Sequence, residues 1–279
     1  MQTWVLGDSR QTLVLAARRE RLPEVVYWGA PLPGTDDATT LAAAHQLDVT
    51  GGMLDEHPPL SICPETTRTF PGQPGLILHT ADGRPILPKF CFVSEDVAPH
   101  ALTLVYRDED HGLTYTARFA LDPDTHIITT RATLDAASPV HLHWLSCPVM
   151  PGPQLSDEMI DVSGRWCGEF QLNHTAWSPG VRFRENRTGR TGHEHFPGLI
   201  IPGRGATNTQ GEAWGFHLGW SGGHRMVAEE LPDGRRQIQF GLATGLMTEP
   251  MTHYPSSPLY LTYSSDGLNG CAVAFQRHL

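Results

Sequence analysis

Two histidines separated by one residue, His193 and His195, are the first candidates for chemistry in this sequence, and Glu194 lies between them. Imidazole and carboxylate groups bind zinc and transfer protons, and on a strand residues i and i+2 point to one face. The segment differs from the motif H-E-x-x-H, and no distant cluster of Cys and His completes a zinc site. We therefore expect no metal and no cofactor. We expect Arg190, His193 and His195 to donate hydrogen bonds that hold a loop between sheets or against another domain.

Tryptophans form a second set of candidates, because their rings could make a platform on which a sugar stacks. They are Trp144, Trp166, Trp177, Trp214 and Trp220. Aromatic residues in strands belong more often to a core or an interface, so we expect that role for these five. Arg165 and Glu169 lie close to Trp166 in sequence and could surround it with polar groups. We interpret that cluster as part of a domain interface rather than a sugar site.

The elements that must position these residues are predicted to be short strands joined by turns. The chain has 279 residues, including 28 Gly and 23 Pro, and such frequent breakers divide a chain into short pieces. Residues 102–106, 113–121 and 126–135 are rich in β-branched and aromatic residues that partly alternate with polar ones. The turn sequences RDEDHG and DPDT separate them. Strands at this spacing are typical of an all-β sandwich.

The same pattern returns in the second half, at residues 212–222, 224–231, 235–243 and 259–267. No change of composition marks a domain boundary, so we expect one large β-sandwich domain over residues 1–263. In the last segment, residues 264–279, apolar residues recur at helical spacing: Leu268, Cys271, Ala272, Phe275 and Leu279. Ser264, Ser265 or Asp266 could cap this helix. Because no stop signal follows, we expect the helix to lead into a longer polypeptide.

Charge and composition exclude several classes of protein. The net charge is −10 and the pI about 5.8, which disfavours binding to nucleic acid. No run of 18 apolar residues predicts a membrane span, and residues 1–23 do not resemble a signal peptide. The five cysteines are scattered and odd in number. We therefore expect reduced thiols in a cytoplasmic protein.

A longer motif covers residues 164–201, GRWCGEFQLNHTAWSPGVRFRENRTGRTGHEHFPGLII. It resembles the N-terminal region of family 36 glycoside hydrolases, the α-galactosidases, which have Gly-Arg-Trp followed closely by Glu and then Gly-Arg-Thr-Ser-His-x-His-x-Pro. The matching residues are Gly164, Arg165, Trp166, Glu169, Gly189, Arg190, Thr191, His193, His195 and Pro197. Gly192 stands where the family usually has serine, and Phe196 where it usually has asparagine or a similar residue.

Two further segments carry the resemblance, in the order that the family has them. Residues 211–230 are similar to the family's Gly-Glu-x-x-Gly-Phe-x-Leu-x-x-Ser-Gly-Asn, with Gly223 in the place of asparagine. Residues 263–279 are similar to the segment that leads out of the family's first domain. Residues 51–60, GGMLDEHPPL, correspond more loosely to a Gly-Asp-x-Arg-x-Pro-Ala segment, and no arginine is present.

The resemblance implies a large two-sheet β-supersandwich similar to galactose mutarotases, followed by a (β/α)8 barrel that hydrolyses α-galactosides with retention. Retention needs two carboxyl groups about 5 Å apart, and in the family both lie at strand ends of the barrel. They would lie beyond Leu279, so we expect no catalytic residue in this chain. The family also implies homo-oligomers in which the region of residues 51–60 helps to shape a neighbour's sugar pocket. Asp55 and His57 are our candidates for that contact.

Two other functions remain open at this stage. A free-standing carbohydrate-binding module would need an exposed aromatic face. A mutarotase-like epimerase would need a histidine acid and a carboxylate base on a concave sheet, and the 15 histidines of the chain do not exclude it. Fold alone does not decide among these functions.

Overall fold

The computed structural model describes residues 1–33, 37–46, 57–243, 245–246 and 249–278. The strands, in chain order, are β1 (Gln2–Gly7), β2 (Thr12–Ala17), β3 (Glu24–Gly29), β4 (Leu76–Thr80), β5 (Pro85–Ile86), β6 (Cys91–Ala98), β7 (Ala101–Asp108), β8 (Leu113–Asp122), β9 (Ile127–Leu145), β10 (Met150–Pro151), β11 (Glu158–Arg165), β12 (Gly168–Ala176), β13 (Gly180–Asn186), β14 (Gly198–Pro202), β15 (Ala213–Leu218), β16 (His224–Glu230), β17 (Arg236–Leu242), β18 (Met251–Pro255) and β19 (Leu259–Ser264). The helices are α1 (Ala38–Ala44) and α2 (Gly267–His278), and Thr66–Arg68 forms a 3-10 turn.

The largest sheet has twelve strands and forms one complete layer of the molecule. Its main path runs β12-β11-β14-β15-β19-β9-β8-β7-β6, so β12 and β6 lie at opposite ends; β4 and β18 also pair with β9, and β5 pairs with β4. The named strands pair antiparallel in every case. An antiparallel sheet of this kind covers the core with one face and leaves the other available for different contacts.

Two smaller sheets form the opposite layer, with strand orders β1-β2-β3 and β10-β17-β16-β13. Phe216 of the large sheet shows how they meet it. Its ring lies 5.4 Å from that of Trp28 in the first small sheet and 6.4 Å from that of Phe240 in the second. One continuous apolar core includes residues from all three sheets. The prediction of an all-β two-layer sandwich is confirmed.

The predicted strands at residues 102–106 and 113–121 correspond to β7 and β8, whereas the one at 126–135 is too short. β9 continues to Leu145, because it pairs with β8 as far as Ala136 and with β4 from Val140 onward. Pro139 lies between these two pairings. Proline has no backbone N–H to donate to a neighbouring strand, and between the two pairings this loss costs least. The proline and the small residues before it hid this continuation in the sequence.

The C-terminal helix α2 is present as predicted, but its buried face differs in detail. Gly267, Cys271 and Ala274 are buried, whereas Ala272 is exposed; Leu279 lies outside the described residues. The helix packs on the outer face of the large sheet above Gly215. A Cβ atom at Gly215 would lie 2.9 Å from the ring of Phe275, so only glycine permits this close approach. The spacing of apolar residues in the sequence defines only a broad apolar stripe on the helix. Which residues of that stripe are buried depends on how the helix packs against the sheet.

Candidate functional site

The hairpin between β11 and β12 carries the first of the motif segments, Gly164 to Glu169. Its tip projects from the end of the large sheet, and the side chain of Trp166 is 77% exposed. The backbone is unusual there, because Cys167 has φ of 59° and Phe170 has φ of 54°. Left-handed conformations are uncommon for bulky residues and occur often at functional sites. Glu169 accepts a hydrogen bond of 3.0 Å from the N–H of Cys167 and thereby holds the turn.

The second motif segment, with the two histidines, lies in the loop between β13 and β14 and not on a strand. The same-face geometry that a strand would give to the two imidazoles therefore does not apply to this segment. Nε2 of His193 lies 3.5 Å from Glu194, and Nδ1 of His195 accepts a hydrogen bond of 3.0 Å from Arg184. Partial burial, and next the charge of Arg184, hold the pKa of His195 below its usual value. Arg190 has an exposed side chain, and its carbonyl group accepts a bond from Asn186.

A buried carboxylate, Asp161 of β11, connects the large sheet to this loop. Asp161 forms ion pairs with Arg182, at 2.9 Å, and with Arg184, and accepts a hydrogen bond of 2.9 Å from Asn173. Arg184 also donates to the carbonyl oxygen of Glu194. Asp161 is only 2% exposed, and a buried charge requires such partners. This joint therefore fixes β13 of the four-stranded sheet, the histidine loop and β11 relative to one another.

The hairpin tip and the histidine loop meet at one corner of the molecule. We call residues 164–170 and 187–197 together the tip–loop corner. Within it the rings of Phe170 and Phe196 lie 6.0 Å apart. The pKa of Glu169 is lowered, first by its own backbone N–H and that of Cys167, and in part by the charge of His193. The structure thus brings together the two motif segments that the sequence singled out separately.

From this corner, a row of aromatic rings continues along the outer face of the large sheet to α2. Phe196 lies 5.1 Å from the ring of His217, and His217 lies 6.0 Å from the ring of Phe275. Because Gly215 and His217 alternate with the core residue Phe216, both face outward. Burial, and to a smaller extent His224, lowers the pKa of His217, which favours the neutral ring. Leu172 of the end strand β12 is 60% exposed.

The five tryptophans do not form a common platform. Trp144 and Trp214 are buried, as expected for core residues. Trp177 is half-buried below the guanidinium of Arg236, at 4.7 Å from ring centre to Cζ. Trp166 and Trp220, the latter 43% exposed, are the exceptions to a core role, and an interface role stays a prediction for these two. Thr191 of the histidine loop donates to the carbonyl oxygen of Trp220, so both exceptions lie at or beside the tip–loop corner.

The predicted sugar-contacting segment is described only in part, and Asp55 lies outside the described residues. Nε2 of His57 lies 3.3 Å from Asp233, which also pairs with Arg235 at 2.8 Å. His57, Asp233 and Arg235 border a cavity of about 450 Å³. His57 therefore belongs to a charged cluster with Asp233 and Arg235. None of these three residues is part of the tip–loop corner.

In the part of the chain that the structure describes, no three His, Cys, Asp or Glu residues are arranged as a metal site. Nor is any helix of the described residues both long and apolar enough to cross a membrane. The tip–loop corner itself offers aromatic surface and hydrogen-bonding groups.

Comparison with known proteins gives one consistent family. The model of the family described as "Glycosyl hydrolase family 36 N-terminal domain" matches residues 21–246. The chain is 32% identical to an alpha-galactosidase from Escherichia coli, over 98% of this chain and 38% of that protein. It is 25% identical to a probable alpha-galactosidase G from Aspergillus terreus, over 72% of this chain and 28% of that protein. The matched part of this chain therefore spans well under half of the length of either relative.

Solved structures agree on the fold. The galactosidase domain of the alpha-galactosidase-sucrose kinase AgaSK superposes with a TM-score of 0.85 at 16% identity, covering 98% of this chain and 42% of that one. The alpha-galactosidase AgaA from Geobacillus stearothermophilus, solved in complex with stachyose, gives 0.82 at 17% identity, covering 99% and 42%. At these identities the similarity shows the fold alone.

Proposed function

The chain belongs to glycosyl hydrolase family 36 through its N-terminal domain, and on this premise we propose that it packs against the catalytic barrel of an α-galactosidase-like enzyme. The observation that carries the proposal is the row of aromatic rings that joins the tip–loop corner to α2. The row and the exposed apolar side chains beside it lie on the face where the chain continues toward residue 279. A following domain would meet this face first.

The exposed residues of the corner, together with Leu172 beside it on β12, suit a buried interface. Trp166, Phe170 and Leu172 are all more than half exposed, and neighbouring exposed apolar side chains mark interaction surfaces. Arg165, Arg190 and His193 provide a polar rim, the arrangement typical of protein interfaces. In this proposal Gly164 and Glu169 shape the tip, and His195 fixes the loop through Arg184. The partner is the catalytic part of the same polypeptide.

The proposed domain division is compatible with the same geometry. Residues 1–263 form the β-sandwich, and residues 264–279 begin the connection to the barrel. Two backbone hydrogen bonds support a fixed start of this connection. The N–H groups of Gly267 and Leu268, at the beginning of α2, donate to the carbonyl oxygens of Gly211 and Thr207. The connection to the barrel would then start in one fixed direction instead of being a flexible linker.

The substrate and the assembly belong to the proposal as well. Relatives of this chain are named alpha-galactosidases, and we propose α-galactosides as substrates of the complete enzyme. We also propose that the enzyme is a homo-oligomer in which Asp55 and His57 approach a neighbour's sugar pocket. The five free cysteines support a reducing, cytoplasmic environment.

The proposal can be tested with two matched substitutions, Leu172→Asp and Val97→Asp. Both side chains are 60% exposed, and they lie on β12 and β6, at opposite ends of the large sheet. We expect Leu172→Asp to lower the Tm and the activity of the longer enzyme, because it places a charge in the proposed interface. The same change in the 279-residue chain should leave its Tm unaltered.

Val97→Asp is the control and should change neither protein. If Leu172→Asp lowers the Tm of the short chain as much as that of the longer enzyme, β12 has a local structural role only. If it changes neither, the surface of β12 beside the tip–loop corner does not contact the barrel, and the proposal is wrong.

A further inference from the structure

Two arginines on the outer face of the large sheet, Arg118 of β8 and Arg131 of β9, lie directly opposite each other. Cβ atoms of such pairs are about 5 Å apart, and like charges in this position destabilise a sheet. Both side chains are exposed. They point away from the core, because Ala117 and Ala132 beside them in the two strands are buried and successive side chains of a strand alternate between faces. The fold therefore places two positive charges side by side on an open surface.

Elsewhere the fold pairs opposite charges across its strands. Glu185 of β13 lies opposite Arg225 of β16, and their charged groups are 2.9 Å apart. Glu230 lies opposite Arg236 in the same sheet, at 2.8 Å. In contrast, neither of the two opposed arginines forms a side-chain hydrogen bond or an ion pair with another of the described residues. Their guanidinium groups are thus available to an acid from outside the chain.

An acid lies in the same row of the sheet, two strands away from the nearer arginine. Asp96 of β6 lies opposite Thr103 of β7, and Thr103 lies opposite Arg118, so all three point to the outer face. Glu95 points to the other face, since it accepts a hydrogen bond of 2.7 Å from Gln2 of β1 in the opposite layer. Because neighbouring strands are about 4.8 Å apart, the backbone of Asp96 lies roughly 10 Å from that of the nearer arginine and roughly 14 Å from that of the farther one.

The side chains on both sides of this row are short, so a second sheet can approach it closely. The two adjacent rows consist of Ala98, Ala101, Ala120 and Thr129, and of Ser94, Val105, Thr116 and Thr133. All of these residues are exposed or partly exposed. Sheets that pack face to face lie about 10 Å apart, a distance that an arginine and an aspartate from opposite sheets can bridge together. We call these three rows on β6–β9 the charged-row face.

We propose that the charged-row face binds the same face of a second copy of this chain, around a two-fold axis that runs parallel to the strands between β7 and β8. This axis places β6 of one copy over β9 of the other, so that Asp96 faces Arg131 of the second copy. Thr103 faces Arg118 in the same way, and each contact occurs twice by symmetry. The second copy thus supplies the acid that the opposed arginines lack within their own chain.

The order of charges along the row also selects this orientation. A two-fold axis that ran across the strands, along the row, would place Asp96 over Asp96 and Arg118 over Arg118. Such like-charge contacts strongly disfavour association and thereby give the interface its specificity. This inference gives a surface to the proposed homo-oligomer and rests on that part of the proposed function. It does not depend on contact with the barrel, because β12 lies at the other end of the large sheet.

The test is sedimentation velocity of the 279-residue chain at low ionic strength, over a wide range of protein concentration. We expect a monomer–dimer equilibrium that shifts toward monomer when salt is added, since salt screens exposed charges. Arg131→Glu and Asp96→Arg should each weaken the dimer at least about tenfold, because each substitution places like charges opposite each other twice. The double variant exchanges the two charges and should restore the dimer.

Two further variants separate the interface from the fold. Arg84→Glu is the matched control, because the side chain of Arg84 is 81% exposed on the turn between β4 and β5, and it should leave the equilibrium unchanged. Arg131→Gln removes one of the two opposed charges, so it should weaken the dimer without lowering the Tm of the monomer.

A chain that stays monomeric at every concentration would overturn the proposal. So would a dimer that Arg131→Glu and Asp96→Arg leave intact, or a double variant that associates no more tightly than the single ones. The contact with the barrel has its own test in Leu172→Asp, so failure of one proposal is distinguishable from failure of the other.

Discussion

The carboxylate of Glu65 accepts a hydrogen bond of 2.7 Å from the backbone N–H of Phe90, although only 5% of the Glu65 residue is exposed. Burial raises the pKa of Glu65 to about 7, and the nearby charge of Asp108 acts in the same direction. The amide of Phe90 and the guanidinium of Arg68, 3.7 Å away, lower it without cancelling the effect of burial. Glu65 is therefore an acid that folding makes weaker.

This relationship predicts how stability depends on pH. A carboxyl group whose pKa is about 7 when folded and near 4.5 when unfolded binds protons more tightly in the folded state. Its contribution to the free energy of unfolding is present below about pH 4.5 and is lost as the pH rises through about 7. The full loss is at most roughly 3 kcal/mol.

Glu65→Gln should remove this dependence while keeping an oxygen that accepts from Phe90. We expect the variant to be more stable than the wild type at pH 8, and the difference to shrink toward pH 5. Urea unfolding at the two pH values measures it. Glu109→Gln, at an exposed carboxylate, is the control. A Glu65→Gln protein with the same pH dependence as the wild type would show that Glu65 remains ionised throughout.

Removing the buried charge of the joint at Asp161 should strongly destabilise the chain. In Asp161→Ala the guanidinium groups of Arg182 and Arg184 lose their shared partner, and breaking a buried pair in this way costs about 3–5 kcal/mol. Urea unfolding measures the loss. Asp157→Ala breaks an exposed pair with Arg204 and should have little effect. Equal effects of the two substitutions would mean that the joint is solvated.

Two tryptophans that look alike in sequence should respond differently to substitution. Trp144→Ala leaves a cavity and removes a hydrogen bond of 2.8 Å to Gln239, so we expect a loss of about 3–5 kcal/mol. Trp166→Ala alters an exposed side chain and should change the stability of the 279-residue chain by less than about 0.5 kcal/mol. Thermal unfolding compares them. A large loss in Trp166→Ala would place Trp166 in a local core instead of an interface.

The chain by itself should not hydrolyse an aryl α-galactoside above background. The family resemblance implies that both carboxyl groups of the retaining mechanism lie beyond residue 279, and neither step proceeds without them. A chromogenic assay of the purified chain measures this. Turnover that disappears when a carboxylate within residues 1–279 is changed would contradict it.

In the proposed longer enzyme, Asp55→Ala tests the proposed contact with a neighbour's sugar. A hydrogen bond to a charged acceptor contributes roughly 1.5–3 kcal/mol, so kcat/KM should fall about ten- to a hundredfold. The Tm should not change, because the Gly- and Pro-flanked sequence of residues 51–60 predicts a surface loop with little packing. His57→Ala is the companion variant, since His57 pairs with Asp233. Unchanged kcat/KM in Asp55→Ala would exclude Asp55 from the sugar site.

Much of the fold could be predicted because its signals are local. Alternation of buried and exposed residues in β7 and β8 matches the two-residue period of a strand, and the spacing of Cys271 and Phe275 matches a helix turn. Each signal depends only on residues a few positions apart. The ordered motifs of residues 164–201 and 211–230 identified the family for the same reason, since they can be read without knowing which strands meet.

The candidate site needed the tertiary structure. Asp161, Arg182 and Arg184 come from strands of different sheets, and nothing in their spacing predicted that they share one buried cluster. The row from Asp96 to Arg131 depends on the register of β6, β7, β8 and β9, and a shift of one residue in a pairing would turn a charge to the other face. No motif marked either set of residues beforehand.

The sequence alone therefore determined the element types, the sandwich class and the family, because periodicity and motif order are properties of the chain itself. Only the tertiary structure decided that Trp144 is buried and Trp166 exposed, that the histidine loop is held by Arg184, and that Ala274 rather than Ala272 faces the sheet. Burial and charge pairing depend on which surfaces meet. Which surfaces meet depends on contacts between residues that are distant in sequence. The free energies of such contacts cannot be predicted from a local sequence pattern.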